Sequence, residues 1–125
     1  MSQDQESGAK ASEWGHKTAE SIAREIGASG IGKVSNECRL GEERIVIKCA
    51  NVETQSVGVT YRMLERLDRI IAAFRVDDGS FELWALSPVE FRSAMRESRT
   101  SAGKVGLVER SFFERHGKAL GRVRV

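Results

Sequence analysis

The alternation of apolar and polar residues predicts a helix followed by a β-hairpin in the first half of the chain. Apolar residues recur at helical spacing over residues 16–26, and Gly27 is placed to end that helix. Residues 33–40 and 44–50 have the pattern of two strands joined by a tight turn at Gly41-Glu42. The second strand is nearly all apolar, as is typical of a strand covered on both faces.

The middle of the chain allows two interpretations. A short helix is predicted over residues 57–67, after a polar loop. The apolar residues between 64 and 74 suit a continuation of that helix, but residues 70–76 and 81–86 equally suit the two strands of a hairpin. We favour the hairpin, because Asp78-Gly79 between apolar runs is a good turn signal.

The last third of the chain predicts a further helix, a short strand and a final helical turn. Residues 87–90 combine a serine cap, a proline at the first helical position and a glutamate at the third, so a helix begins there and ends near Ser98. A strand over 105–108 and a helical turn over 111–116 follow. The element order predicts an α/β or α+β fold with a small mixed β-sheet flanked by helices.

The length and composition indicate one domain of ordinary globular type. The chain has 125 residues, of which 40% are hydrophobic and 30% charged. Residues 1–11 are polar and predict a disordered tail, which leaves 12–125 as a single domain. No apolar run approaches the roughly 20 residues of a membrane span, and the first residues lack an apolar signal core. We therefore expect a cytoplasmic protein without a membrane segment.

The small number of cysteines and histidines, and the spacing between them, argue against a structural zinc site. Cys38 and Cys49 fall within predicted strands, and no CxxC motif is present. In a reducing compartment we expect both to be buried thiols that act as small hydrophobic residues.

Charge is distributed unevenly. Residues 1–89 hold 11 Lys/Arg against 14 Asp/Glu, a net of −3, and residues 90–125 hold 9 against 4, a net of +5. A basic segment on an acidic body indicates either a local anion-binding face or a solvated basic tail. Arg92, Arg96 and Arg99 are spaced four and three apart, which places them on one helical face. The cations that we predict to contact phosphates are Arg92, Arg96, Arg99, Lys104, Arg110, Arg115 and Lys118.

A lysine lies inside the apolar strand over residues 44–50. A desolvated ammonium at Lys48 needs a carboxylate, a phosphate or a metal-bound hydroxide nearby. The alternative is a lysine at the border of the sheet, whose stem packs while its ammonium reaches solvent.

These residues resemble the PD-(D/E)XK nuclease superfamily, which includes restriction endonucleases and Holliday-junction resolvases. Residues 14–20 look like the opening helix of that family, and Glu20 matches its glutamate. Glu37 falls where the acid of the first strand belongs, Lys48 matches the lysine of the next strand, and Gln55 falls where many members have a polar residue. The resemblance covers residues 14–87 and implies a restriction-endonuclease-like core.

The resemblance implies a catalytic site for phosphodiester hydrolysis. Glu20 and Glu37 would bind Mg²⁺ or another divalent cation, and Lys48 would stabilise the developing negative charge, with Gln55 nearby. One position departs from the motif: Val46 stands where the family has an acid two residues before the lysine. Either another acid replaces it, with Glu37, Glu42 or Glu43 nearest, or this copy is catalytically inactive.

Two hypotheses from different classes follow. The first is a metal-dependent nuclease-like domain that cleaves DNA, acting as a homodimer, or a degenerate relative that binds DNA without cutting. The second is a non-catalytic interaction module, whose basic C-terminal third docks an acidic protein partner. A Lys48→Ala change that abolishes Mg²⁺-dependent cleavage and preserves the fold would favour the first.

Overall fold

The computed structural model describes residues 2–32, 35–98 and 104–125, with side chains from Glu13 onward. None of the described helices is long and apolar enough to cross a membrane. The predicted fold class, a small mixed β-sheet flanked by helices, is confirmed. The elements in chain order are α1 (Ser2–Ile26), β1 (Glu37–Leu40), β2 (Glu43–Ala50), β3 (Ser56–Thr60), α2 (Tyr61–Arg66), β4 (Arg69–Asp77), β5 (Ser80–Leu86), α3 (Pro88–Ala94), β6 (Arg96–Glu97), β7 (Val105–Glu109), α4 (Arg110–His116) and β8 (Lys118–Arg124).

Within the described ranges, five strands form the main sheet in the order β1-β2-β4-β5-β8. Strands β2 and β4 are parallel, and the other neighbours are antiparallel. A parallel pair needs a long crossover connection, which here consists of β3 and α2. Strand β3 pairs with β7, and β7 with β6, in a second antiparallel sheet.

The main sheet is covered on both faces, which explains why β2 is almost entirely apolar. Ile45 and Ile47 face α1, whose Ala19 and Ile22 are fully buried against them. Val46 points to the opposite face and is also fully buried. Because side chains alternate along a strand, Lys48 lies on the same face as Val46. That second face packs against residues from the remaining helices and the small sheet, namely Val57, Val59, Leu64, Leu67, Phe91, Val108 and Phe113.

Two local predictions are confirmed in detail. The hairpin of β4 and β5 turns at Asp78 and Gly79, and Gly79 has a φ of 83°, a conformation that glycine adopts without strain. Helix α3 begins with the predicted capping box. The backbone N–H of Glu90 donates to the Ser87 hydroxyl at 3.1 Å, and the Ser87 N–H donates to the Glu90 carboxylate at 2.9 Å.

Helix α1 begins at Ser2 rather than near residue 16, and the division into a tail over 1–11 and a domain over 12–125 stays a prediction. The helix predicted over 57–67 is wrong in its first half, because Ser56–Thr60 forms β3. Its two valines alternate with Gly58 and pair with β7, so a partner about fifty residues away decides the structure.

The predicted ends of two further elements also differ from the structure. Helix α3 ends at Ala94 rather than near Ser98, because the next residues form β6 against β7. Strand β8 was not predicted, since an exposed, charged strand at a sheet edge has no apolar pattern. The predicted first strand began at residue 33, but residues 33–34 lie outside the described part of the chain.

The two cysteines are free thiols, as predicted. Cys38 is buried and Cys49 is half-buried. Burial raises the pKa of the Cys49 thiol to about 12, so it stays protonated and unreactive at neutral pH.

Candidate nucleic-acid interface

The hairpin of β1 and β2 places two arginines directly opposite each other. Arg39 pairs with Arg44 across the hairpin, and both side chains are exposed. Residues paired in this way share a face of the sheet and have Cβ atoms about 5 Å apart. Glu37 lies two residues before Arg39, so its carboxylate belongs to the same face.

Arg66 joins this cluster from the last turn of α2. Its guanidinium forms a two-pronged ion pair with Glu37, in which Nε and Nη2 each donate to one carboxylate oxygen at 2.7 Å. Hydrogen bonding to Arg66 is the main cause that lowers the pKa of Glu37, and the same contact raises the pKa of Arg66. Glu37 is therefore ionised at neutral pH, and both of its oxygens are engaged.

Arg39 and Arg44 lack such a partner. Among the described residues, no carboxylate lies within ion-pair distance of either guanidinium. Asp68, which is close in space, accepts the backbone N–H of Arg44 at 2.8 Å rather than its side chain. Like charges directly opposite each other on a sheet destabilise it. Arg44 acts on the Glu37 carboxylate at longer range, where its charge is one of the causes that lower the pKa of Glu37. Two guanidiniums that no ion pair holds therefore form a position that attracts an anion.

The three arginines line one open cavity of about 460 Å³. We call Arg39, Arg44 and Arg66, with Glu37 between them, the arginine face. One wall of the cavity is the connector between α1 and β1. Ser29 exchanges two backbone hydrogen bonds of 2.8 Å with Arg39, and the Gly32 N–H donates to the Glu37 carbonyl at 3.0 Å. This glycine-rich segment therefore runs along the edge of β1.

Lys48 lies on the same face of the sheet as Arg44 and Val46, because these residues are two apart along β2. It is half-buried, and no described carboxylate is within ion-pair distance of its ammonium. Burial lowers the pKa of Lys48, and the negative charge of Glu37 partly opposes that shift. Lys48 is not among the described residues that line the cavity. Its ammonium is a partly desolvated charge that interacts with Glu37 at longer range.

Glu20 is held elsewhere, on α1. Its carboxylate lies 2.9 Å from Nε2 of His16 and 3.9 Å from Arg24. Nδ1 of His16 is 2.9 Å from the side-chain oxygen of Asn36, at the start of β1. Helix α1 covers the face of the sheet opposite to Lys48. Glu20 and Glu37 therefore each have a cationic partner of their own.

The described residues do not fit a divalent cation. In the described part of the chain, no group of three or more His, Cys, Asp or Glu side chains could hold a metal ion. Both oxygens of Glu37 are bound by Arg66, and Val46 is fully buried among apolar side chains. Hard divalent cations require several oxygen ligands, so the carboxylates implied by the resemblance leave this requirement unmet.

Gln55 is not brought to Lys48. It is exposed in the loop after β2, where its side-chain amide donates to the Val52 carbonyl at 3.3 Å. Its own backbone carbonyl accepts the Arg110 N–H at 2.7 Å. The structure gives Gln55 a local role in fixing that loop against α4.

The predicted basic surface of the C-terminal third is divided among several elements. The helical face of three arginines does not form, because α3 ends before Arg96, and Arg99 lies outside the described residues. Arg96 is paired with Glu109 at 3.1 Å. Arg110 is paired with Glu114 at 3.4 Å and lies 5.0 Å from the centre of the Phe74 ring. Exposed side chains without a described carboxylate partner remain at Arg92, Lys104, Arg115 and Lys118.

Comparison with known proteins adds a distant structural likeness. No protein-family model matches the chain, and no curated protein sequence matches it. The structure is similar to that of Hjc, a Holliday junction resolvase from the archaeal hyperthermophile Archaeoglobus fulgidus, with a TM-score of 0.46 and 10% sequence identity. The match covers 85% of this chain and 91% of that chain. At this level of similarity, the functional argument depends on the residues of this chain alone.

Proposed function

We propose that the protein is a nucleic-acid-binding module that holds the phosphate backbone on its arginine face and does not cleave it by metal-dependent hydrolysis. The observation that carries the proposal is the pair Arg39 and Arg44, two exposed guanidiniums opposite each other with no described carboxylate partner. Guanidinium groups bind phosphate oxygens through two parallel hydrogen bonds, which gives both strength and orientation.

Arg66 is the third cation of the arginine face, and Glu37 offsets its charge through the two-pronged contact between them. The phosphate contacts therefore fall mainly on Arg39 and Arg44, which no described carboxylate holds in an ion pair. Each phosphate that the arginine face neutralises releases counterions, so affinity should fall steeply with salt.

The second half of the proposal, binding without cutting, rests on the site implied by the resemblance. Val46 replaces the motif acid, and the two candidate carboxylates are bound to Arg66 and His16. Burial lowers the pKa of Lys48, and the described carboxylates do not form a site that would position a metal and an attacking water beside it. We therefore expect Mg²⁺ to be dispensable for binding.

The test is the binding and cleavage of fluorescein-labelled 20-nucleotide DNA, single-stranded and duplex, in EDTA and in Mg²⁺. We expect binding in EDTA to be at least as tight as in Mg²⁺, since Mg²⁺ competes for the phosphates, and we expect no cleavage. The charge reversal Arg44→Glu should weaken binding by roughly thirtyfold or more, because it adds repulsion to the lost contact. The reversal Arg92→Glu gives the same change in net charge on an exposed arginine elsewhere.

Three results would contradict the proposal. Equal losses in the Arg44→Glu and Arg92→Glu variants would mean that only net charge matters. Absence of DNA binding at low salt would favour an acidic protein partner. Mg²⁺-dependent cleavage that Glu37→Ala and Lys48→Ala abolish would restore the catalytic role implied by the resemblance.

A further inference from the structure

A second cavity lies where β3 leads into α2. Its volume is about 460 Å³, its surface is mainly apolar, and the described residues that line it are Thr60, Tyr61, Arg62 and Lys104. The Thr60 hydroxyl accepts the Met63 N–H at 3.2 Å and caps α2. The Tyr61 N–H donates to the Lys104 carbonyl at 3.0 Å, which ties the start of α2 to the segment before β7.

The lining combines an aromatic ring with two exposed cations. Tyr61 is half-buried and packs against the core on the second face of the sheet while also lining the cavity. Arg62 and Lys104 are exposed, and no described carboxylate is within ion-pair distance of either side chain. An apolar cavity with an aromatic wall and cations at its rim has the chemistry that single-stranded nucleic acid requires, namely stacking for a base and charge for its phosphates.

This cavity is connected to the arginine face through α2. Arg62 lines the second cavity and Arg66 lines the first. Residues four apart on a helix lie on the same side, about 6 Å from each other along the axis. The two cavities therefore lie at opposite ends of one short helix, with one arginine of that helix at each of them.

We propose that the protein binds single-stranded nucleic acid, with one unpaired base in the Tyr61 pocket (Thr60, Tyr61, Arg62 and Lys104) and the adjoining phosphates on Arg62 and the arginine face. The proposal rests on the proposed function and adds its substrate class. A base within a duplex is stacked and paired, so only an unpaired or extruded base can stack on Tyr61 in this pocket. Duplex DNA should bind through the arginine face alone.

The test compares Tyr61→Leu with Tyr61→Phe in binding a fluorescein-labelled oligothymidine of 12 nucleotides and a duplex of the same length. Leucine keeps apolar volume but removes the ring, whereas phenylalanine keeps the ring. We expect Tyr61→Leu to weaken binding of the single strand by roughly tenfold and to change duplex binding by less than about twofold. Tyr61→Phe should bind both as the unaltered protein does.

A second measurement uses the unaltered protein, so that it is independent of how well the variants fold. A single strand with one 2-aminopurine should change its emission about twofold on binding, because stacking on a tyrosine alters the environment of that base. Unchanged emission, or equal losses of single-strand and duplex binding in Tyr61→Leu, would contradict base binding in the Tyr61 pocket. Neither result would contradict phosphate binding on the arginine face. Failure of the unaltered protein to bind either oligonucleotide would overturn both proposals.

Discussion

The hairpin of β1 and β2 and the C-terminal third of the chain both carry exposed arginines, but these arginines differ in their carboxylate partners and in how closely they are gathered. In the C-terminal third, Arg96 and Arg110 are neutralised by glutamates on the same or a neighbouring element. The cations that remain without a described carboxylate partner there are spread over α3, the segment before β7, α4 and β8, rather than gathered around one cavity. In the hairpin, Arg39 and Arg44 face each other, and no described carboxylate is within ion-pair distance of either one.

Net charge favours the C-terminal third as the anion-binding part of the chain, but the fold favours the hairpin. Residues 1–89 carry a net of −3 and residues 90–125 a net of +5, yet the arginines that the fold gathers around one cavity belong to the acidic part. A count of charges along the sequence includes cations that are paired in the fold, whereas an anion responds to the cations that remain unpaired. Breaking an ion pair in either region should therefore change the affinity for DNA.

The largest expected effect concerns the ammonium of Lys48, on the same strand as Arg44. Replacing Lys48 by methionine removes a partly desolvated ammonium but keeps the apolar stem, so the free energy of unfolding should rise by roughly 1 kcal/mol at pH 7. Chemical denaturation measures this. Because Lys48 does not line the cavity, DNA affinity should change by less than about twofold.

The pH dependence of this gain has a defined sign. The pKa of Lys48 is lowered in the folded state, so its charged form opposes folding. The advantage of Lys48→Met is complete below the folded pKa of Lys48 and disappears as pH rises above the unfolded value of about 10.5. Lys17→Met, at an exposed lysine, is the matched control and should change stability little. A loss of stability in Lys48→Met would show that the ammonium has a stabilising partner.

The next effect concerns the carboxylate within the arginine face. Glu37→Gln removes a negative charge and releases Arg66 from its ion pair, so binding of duplex DNA should strengthen by roughly threefold at low salt. Fluorescence anisotropy measures this. The control is Glu43→Gln, which changes another glutamate of the same hairpin and breaks its ion pair with Arg69 of β4.

The same substitution should also lower stability at neutral pH. The pKa of Glu37 is lowered in the folded state, so its contribution to stability is present above the unfolded pKa of about 4.3 and is lost as pH falls through the folded value. The unfolding curves of the two proteins should therefore converge in acid. Equal gains in affinity for Glu37→Gln and Glu43→Gln would contradict a special role for the arginine face.

The smallest effect comes from the C-terminal third. The double change Glu109→Gln and Glu114→Gln releases Arg96 and Arg110 from their ion pairs and should strengthen DNA binding by roughly twofold. Glu53→Gln with Glu97→Gln changes net charge equally at two other exposed glutamates and serves as the control. If both double variants bind equally, the pairing of these arginines has no influence on binding.

Local sequence signals predicted the hairpins and their turns because neighbouring residues determine them. The turn at Gly41-Glu42 fixes which residues of β1 and β2 lie opposite each other, and this register places Arg39 opposite Arg44. The position of Arg39 opposite Arg44 could therefore be predicted from the sequence, whereas the count of charges by segment favours the C-terminal third.

Other parts of the site could not be predicted, because they depend on distant pairing. Arg66 reaches Glu37 only because Ser56–Thr60 is a strand and α2 is short, and that strand depends on β7. The resemblance placed Glu20 and Glu37 near one metal, yet neither a helix pattern nor a strand pattern reveals that His16 and Arg66 bind their carboxylates. Side-chain partners of this kind become visible only in three dimensions.

The most direct test of the central claim is the salt dependence of duplex DNA binding in two double variants. Arg39→Ala with Arg44→Ala should make the plot of log association constant against log salt concentration shallower by about 1.8, since each lost phosphate contact contributes about 0.9. Arg92→Ala with Arg115→Ala removes the same charge from α3 and α4 and should leave the slope of the unaltered protein. Equal slopes in the two double variants would contradict the account.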